Sequence, residues 1–278
     1  MKKLILLSTL IVSILLLLTA GASAQTLFET EKRILCEDIN NSEMGSTTMD
    51  NSYGNRVFYT FESNITTPEE IKKPMMSFKF YAPEDGNYAI YVHGVFPTNG
   101  SDSFFYKVDD MPWKDVHPNA QGQSLVWFSA GKVNLTAGEH TFYWHHREVG
   151  SYFDCFTIAL ADGSFKVLIE GNTLKTDVEP YIERNISMIP FRAFGEALGA
   201  TVTWDAEKRS ATIAKDKISL TIVENSDTAY WANYPMKLDC PAKIINGRFM
   251  VPIRFVATNL QYNINWAAGT NHAFILKK

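Results

Sequence analysis

From Gln25 to about Gly163, apolar and polar residues alternate with a period of two. In "MMSFKFYAP" the apolar positions are Met76, Phe78 and Phe80, and "EDG" (Glu84 to Gly86) follows as a turn. "NYAIYVHGVF" puts Tyr88, Ile90 and Val92 on one face before "NGSD" breaks it at Asn99 to Asp102. "SFFYKVDD" runs on to Asp110, "VNLTAGEHTFYWHHRE" reads strand, Ala137-Gly138 turn, strand, and "YFDCFTIAL" closes the set. No stretch here has an apolar period of 3.6. Several short strands at roughly ten-residue spacing predict an antiparallel β-sandwich, a jelly roll.

Beyond this half the pattern changes and repeats. "MIPFRAFGEALGATVTW" (Met188 to Trp204) returns 62 residues later as "MVPIRFVATNLQYNINW" (Met250 to Trp266). At the same offset Asp177 meets Asp239, Ile182 meets Ile244, Arg192 meets Arg254, and Ile213 meets Ile275. Such self-similarity marks an internal duplication. In each unit a short strand leads to a proline, Pro190 or Pro252, which suits the first helical position because it needs no N–H there. Phe191, Phe194 and Leu198 then share one helix face. Gly199 ends that helix as a left-handed cap. The second copy has Gln261 in its place, and Asn259 or Asn263 is expected to take the left-handed position. "TVTW" resumes as a strand, "DAEKR" turns and "SATIA" returns. Trp204 and Trp266 are expected to fill the layer between helix and sheet. Each arginine is expected to cover the tryptophan with its stem and pair with Asp177 or Asp239. The sharper alternative is a pair of cationic contacts for an anionic wall polymer or partner.

The opening residues read as a targeting signal. Lys2 and Lys3 precede the apolar run Leu4 to Leu18, and Ala22 and Ala24 occupy the small-residue cleavage positions, so residues 1–24 are expected to be removed. No later apolar run approaches the ~20 residues that span a bilayer. The mature chain is therefore expected outside the cell, secreted or associated with the wall. The 278 residues suit two domains, and 13% aromatic content supplies well-stocked cores. A net charge of −4 without a basic block gives nucleic acid nothing to bind. Cys36, Cys155 and Cys240 form no disulfide framework and have no metal-ligand spacing. Cys36 and Cys155 can meet if the first and last strands of the sandwich pair.

Residues 25–163 resemble the β-sandwich carbohydrate-binding modules of families 6 and 35. The likeness lies in an ordered series: Pro83 to Tyr88, Ser101-Asp102-Ser103 leading to Val108-Asp109, Leu135 to His140, Arg147 to Gly150, and Asp154 on the last strand. The resemblance implies a structural calcium tying the first strand to the last through Glu37 and Asp154, oxygen donors of the kind calcium takes. The opening departs from the family's Glu-Ala-Glu, because Leu35 and Cys36 precede Glu37. It also implies a sugar site. A sugar ring needs a flat aromatic face and polar neighbours for its hydroxyls. Trp113, His117 and Trp127, among Asp115, Asn119 and Gln121, are the candidates, with Asp102, Arg147 and Glu148 at the loop ends. Of Arg147 and Glu148, one is expected to line a site and the other to make a structural pair. His145 and His146 are expected on opposite faces of their strand. No nucleophile elbow, metalloprotease motif or phosphate loop appears, and no carboxylate pair stands out as catalytic.

Residues 164–278 closely resemble the copper amine oxidase N-terminal-like, or stalk, domain. The hallmarks are Ile189-Pro190-Phe191-Arg192 with Leu198-Gly199-Ala200 and Trp204, then Val251-Pro252-Ile253-Arg254 with Trp266. The resemblance implies an α+β module of short helices on small antiparallel sheets, with a spacing or anchoring role. Copper is not expected, since His272 alone cannot hold it. The sequence as a whole points to an exported, non-catalytic protein that binds a polysaccharide or cell-wall glycan, or else to a structural or protein-interaction protein. Nothing in it sets an oligomeric state.

Overall fold

The computed structural model describes residues 64–98, 103–118, 125–267 and 269–278, together with four short strands before residue 60. Among the described residues the chain is mainly β, with two short α-helices.

The leading half is two facing sheets. One runs β1 (Leu27–Glu29), β5 (Met76–Ala82), β10 (Gly138–His146), β7 (Phe104–Val108), β8 (Lys114–Val116). The other runs β3 (Gly45–Thr47), β4 (Val57–Tyr59), β11 (Tyr152–Leu160), β6 (Gly86–Val95), β9 (Val126–Leu135), with β2 (Ile34–Leu35) also on β11. The alternation read from the sequence sets the core: Phe78, Phe80, Ile90, Val92, Phe104, Phe142, Trp144 and Phe156 meet between the sheets. Each such large apolar side chain contributes roughly 1.5–3 kcal/mol of burial. The rings of Phe142 and Phe156 stack across the sandwich at 4.2 Å.

The second half begins with β12 (Lys166–Ile169) and β13 (Asn172–Thr173). The first unit is β14 (Tyr181–Glu183), β15 (Ile186–Pro190), α1 (Phe191–Ala197), β16 (Thr201–Asp205) and β17 (Ser210–Lys215). Then come β18 (Ile218–Val223), β19 (Thr228–Trp231) and β20 (Tyr234–Lys237). The second unit is β21 (Lys243–Ile245), β22 (Arg248–Pro252), α2 (Ile253–Asn259), β23 (Tyr262–Trp266) and β24 (His272–Lys277). At an offset of 62 the bounds of β15, α1 and β17 fall on those of β22, α2 and β24. The units join where β15 pairs antiparallel with β22. The pairs Met188↔Pro252 and Pro190↔Met250 flank Ile189↔Val251, a register that exchanging the two units leaves unchanged. Phe191, Phe194, Ile253 and Val256 from the two helices share one core.

Three local expectations are corrected. Each strand runs through its proline, so Pro190 and Pro252 are extended N-caps and the helices start one residue later. Gln261 itself takes the left-handed conformation (φ 65°), in register with Gly199 (φ 75°); neither Asn259 nor Asn263 does. Trp204 and Trp266 do not fill the layer. They are 38% and 43% exposed; Val202 takes the buried position on β16, Trp204 lies against Phe249, and Trp266 stacks on Phe165.

The halves meet on the outer face of the second sandwich sheet. Ala89, Tyr91 and Ala159 pack against Leu168 and Phe274. Tyr91 Oη lies 2.7 Å from His272 Nδ1 and 2.9 Å from Thr270 Oγ1.

Candidate functional site

On β7, Phe104, Tyr106 and Val108 enter the core, so Lys107 points away from it. Register sets Lys107 opposite Tyr143 of β10. The ammonium lies 5.0 Å from the Tyr143 ring centroid and 5.5 Å from that of Trp113, within cation–π range of both. Trp113 stands half-exposed on the link between β7 and β8. Asp109 fixes the start of that link. It adopts a left-handed conformation (φ 50°), its Oδ1 accepts the Thr141 N–H at 2.7 Å, and its Oδ2 lies 2.7 Å from His140 Nδ1. Burial lowers the His140 pKa, but the Asp109 hydrogen bond and charge and the Thr136 carbonyl outweigh it, and the net shift is upward. Asp115 and His117 are exposed beside Trp113, 3.5 Å apart. The result is a partly exposed indole with a lysine over its ring, and an exposed carboxylate and imidazole two and four positions further along the chain.

Arg147 and Glu148 are both used structurally. Their side chains pair at 3.3 Å, Arg147 donates to Ser103 Oγ at 3.0 Å, and that hydroxyl donates to Glu148 at 2.8 Å. The backbone N–H groups of both residues reach the Ser103 carbonyl, and the Arg147 carbonyl accepts from Ile65. The cluster ties three chain segments together. The structural pair expected of one of them is made by the two together. The adjacent Asp102 lies outside the described residues, as do Asn119 and Gln121. The rings of His145 and His146 do not point apart. Both are buried, and their rings stack at 4.8 Å at the end of β10.

Trp127 belongs to another surface. It lies on β9 of the second sheet, 5.0 Å from the His93 ring and 5.4 Å from Phe274 of the second half. It is part of the seam between halves. Beneath it, Asp154 is the extra residue of a β-bulge: Phe153 pairs with Gly94 and Cys155 with His93, with Asp154 between them. A bulge re-aims side chains, and here Asp154 and Cys155 serve the same cluster. Asp154 Oδ2 lies 2.6 Å from His93 Nδ1 and 3.6 Å from Cys155 Sγ, and all three residues are buried. The donor atoms lie within 4.8 Å of one another. Nitrogen and sulfur beside a single carboxylate do not fit calcium, which takes oxygen donors. The other expected ligand, Glu37, lies outside the described residues, as does Cys36.

Sequence reading missed Lys107, Tyr143 and His93. The Lys107–Tyr143 pair follows from cross-strand register, which the sequence does not state. His93 needed the bulge at Asp154, which has no glycine or other local signal.

Residues 168–275 match the family model described as the copper amine oxidase N-terminal domain. A protease inhibitor of Brevibacillus choshinensis is 31% identical over 78 residues, 28% of this chain and 24% of that protein. The chain thus spans about a quarter of this curated relative. Among solved structures, a family 35 carbohydrate-binding module from Clostridium thermocellum aligns with 47% of this chain and 99% of its own, at 17% identity and TM-score 0.37. A carbohydrate-binding module from Cellvibrio mixtus lichenase 5A, solved in complex with cellotriose, aligns with 46% of this chain and 96% of its own, at 19% identity and TM-score 0.36.

Proposed function

We propose that the chain is an exported, non-catalytic glycan-binding protein. In this reading the leading half holds a wall or extracellular polysaccharide at the Trp113 surface, and the duplicated second half spaces or anchors it. The observation that carries this reading is the half-exposed Trp113, set over Lys107 with Asp115 and His117 alongside. An indole face takes the apolar C–H side of a sugar ring while neighbouring polar groups take its hydroxyls. The non-catalytic part is supported by how the charged clusters are used. Asp109 with His140, Arg147 with Glu148, and His93 with Asp154 each hold backbone or core in place. No helix among the described residues is long and apolar enough to cross a membrane.

Affinity electrophoresis of the full chain through gels containing a panel of neutral polysaccharides tests this. Wild type is expected to be retarded by at least one. Trp113→Ala should weaken that retention about tenfold, the scale of one lost anchoring aromatic contact. Trp127→Ala should retain binding and lose stability instead. Wild type running freely through every gel overturns glycan binding. A structural or protein-interaction role is the second reading, favoured by Tyr234. It is 75% exposed on β20, the last strand of its sheet, where an unpaired edge offers pairing to another chain.

A further inference from the structure

The second half carries two grooves built from equivalent positions. The first, about 750 Å³, is lined by Asp177, Arg192, Trp204 and, from the other unit, Ile244. The second, about 600 Å³, is lined by Asp239, Arg254, Trp266 and, from the other unit, Ile182. Each residue of the first set becomes its counterpart in the second by a shift of 62, with Ile182 and Ile244 exchanging units. This exchange is what the β15–β22 register dictates, because that pairing maps onto itself when the units swap.

Three features set these grooves apart from ordinary surface. Four of the seven exposed large hydrophobic residues among the described residues lie in them: Trp204, Trp266, Ile182 at 48% and Ile244 at 40%. Arg192 and Arg254 are exposed, and neither has a hydrogen-bond or ion-pair partner among the described residues. The partners expected for them are used otherwise or stay apart. Asp177 accepts both Nε and Nη2 of Arg248, which holds its carboxyl below the ordinary range, and Asp239 pairs with neither arginine. Arg209 pairs with Glu224. Finally, the second groove carries an excess of positive charge in a chain of net charge −4, with Arg184 and Arg254 against Asp239. In the first, Asp177 takes Arg248 and Glu224 takes Arg209, so Arg192 and Glu196 are the charged lining groups left outside those pairs.

We propose that these are twin binding sites for an anionic polysaccharide, one per unit. The indole edge and the isoleucine receive the C–H face of a sugar ring. The unpaired guanidinium beside them receives its acidic group through two parallel N–H donors, a geometry that suits carboxylate and phosphate. Two such sites on one rigid module engage successive stretches of one polymer, so retention on a polymer exceeds the affinity of either groove for a short fragment. The proposal goes beyond the Trp113 surface and does not depend on it.

Affinity electrophoresis of the full chain tests it, with gels containing polygalacturonate, polyglycerol phosphate or neutral dextran. Retention on an anionic gel and free passage through dextran are expected. The uronate and phosphate gels decide which acidic group is preferred. Arg192→Gln and Arg254→Gln are exposed changes that leave both cores intact. Each should reduce retention about tenfold, as loss of one charge-assisted contact does, and the double variant should abolish it. Trp113→Ala should leave it unchanged, which separates failure here from failure of the leading-half site. Free passage of wild type through both anionic gels, or equal retention of the double arginine variant, overturns the proposal.

Discussion

His272 makes the seam between the halves sensitive to acid. The ring is buried, 2.7 Å from the Tyr91 hydroxyl and bonded also to the Leu160 backbone carbonyl. A neutral imidazole satisfies both: one nitrogen donates to the carbonyl and the other accepts from Tyr91. Burial is the main cause of a pKa pushed down from 6.5 to about 4; Lys166 and Lys132 lower it further, against the opposing pull of the Leu160 carbonyl hydrogen bond and of Asp162. The sign follows from proton counting. Between pH 6.5 and 4 the unfolded chain binds a proton at this residue and the folded chain does not, so stability drops as the pH is lowered through that window. The contribution is complete above pH 6.5 and exhausted below about 4. At about 1.4 kcal/mol per pH unit, the full span corresponds to about 3 kcal/mol, and the interval from pH 7 to pH 5 to about 2 kcal/mol. Water entry around the charged ring reduces the latter toward 1 kcal/mol.

Urea unfolding followed by tryptophan fluorescence at pH 7 and pH 5 measures this, for wild type and His272→Gln. Glutamine keeps one donor and one acceptor but does not titrate. The other five histidines are common to both proteins, so the difference of differences isolates His272. Wild type should lose 1–2 kcal/mol more than the variant over this interval. Equal losses in the two proteins would refute the assignment of a buried neutral imidazole. His140 works in the opposite sense. Its pKa is raised in the folded chain, so its contribution is complete below pH 6.5 and is lost as pH climbs through the folded value.

Three further outcomes follow from the packing. Gly195 lies inside α1, where alanine is normally favourable by up to about 1 kcal/mol. A Cβ there would stand 2.6 Å from Ile213 Cδ1 and 2.7 Å from Val202 Cγ2, so Gly195→Ala should instead lower stability by about 1–2 kcal/mol in thermal melts. Gln261→Gly relieves a left-handed non-glycine residue and should raise stability by about 0.5–1 kcal/mol by the same measurement. His93→Ala removes the imidazole from a buried carboxylate at 2.6 Å and should cost about 3 kcal/mol, while the paired change His93→Leu with Asp154→Leu should cost less. A cost for the single change no larger than for the pair would show that the carboxylate does not need the imidazole.

The period-two pattern gave the sandwich its strands and its buried faces, because alternation is a local property that tertiary packing has only to accept. The offset of 62 likewise gave the second half its element order. What stayed hidden depended on register. Trp113 and Trp127 sit 14 positions apart and look like one aromatic cluster in the sequence. The fold puts Trp113 on the β7–β8 link and Trp127 on β9 of the other sheet, where His93 and, from the second half, Phe274 cover it in part. Arg147 and Glu148 look like loop-end ligands until Ser103 is brought beside them from 44 positions away. The bulge at Asp154 shifts register by one residue, and one residue reverses the face of every side chain that follows.

The two units of the second half also separate what a fold requires from what it tolerates. Glycine ends α1, and glutamine, strained, ends α2 in the same conformation. Position 195 tolerates no Cβ, while its counterpart Ala257 buries one. Both units nevertheless reach the same strand, helix and hairpin, so the architecture is set by the apolar positions that meet across β15 and β22, with the caps adjusting it by about 1 kcal/mol. Packing therefore explains why Ile189 and Val251 are both apolar and buried. Packing also gives the tryptophans a role, since Trp204 lies on Phe249 and Trp266 stacks on Phe165, but it does not explain why Arg192 and Arg254 are the same residue at both positions, because these side chains are exposed. Their identity in the two units, placed in matching grooves, is the feature that a purely architectural duplication leaves without a cause.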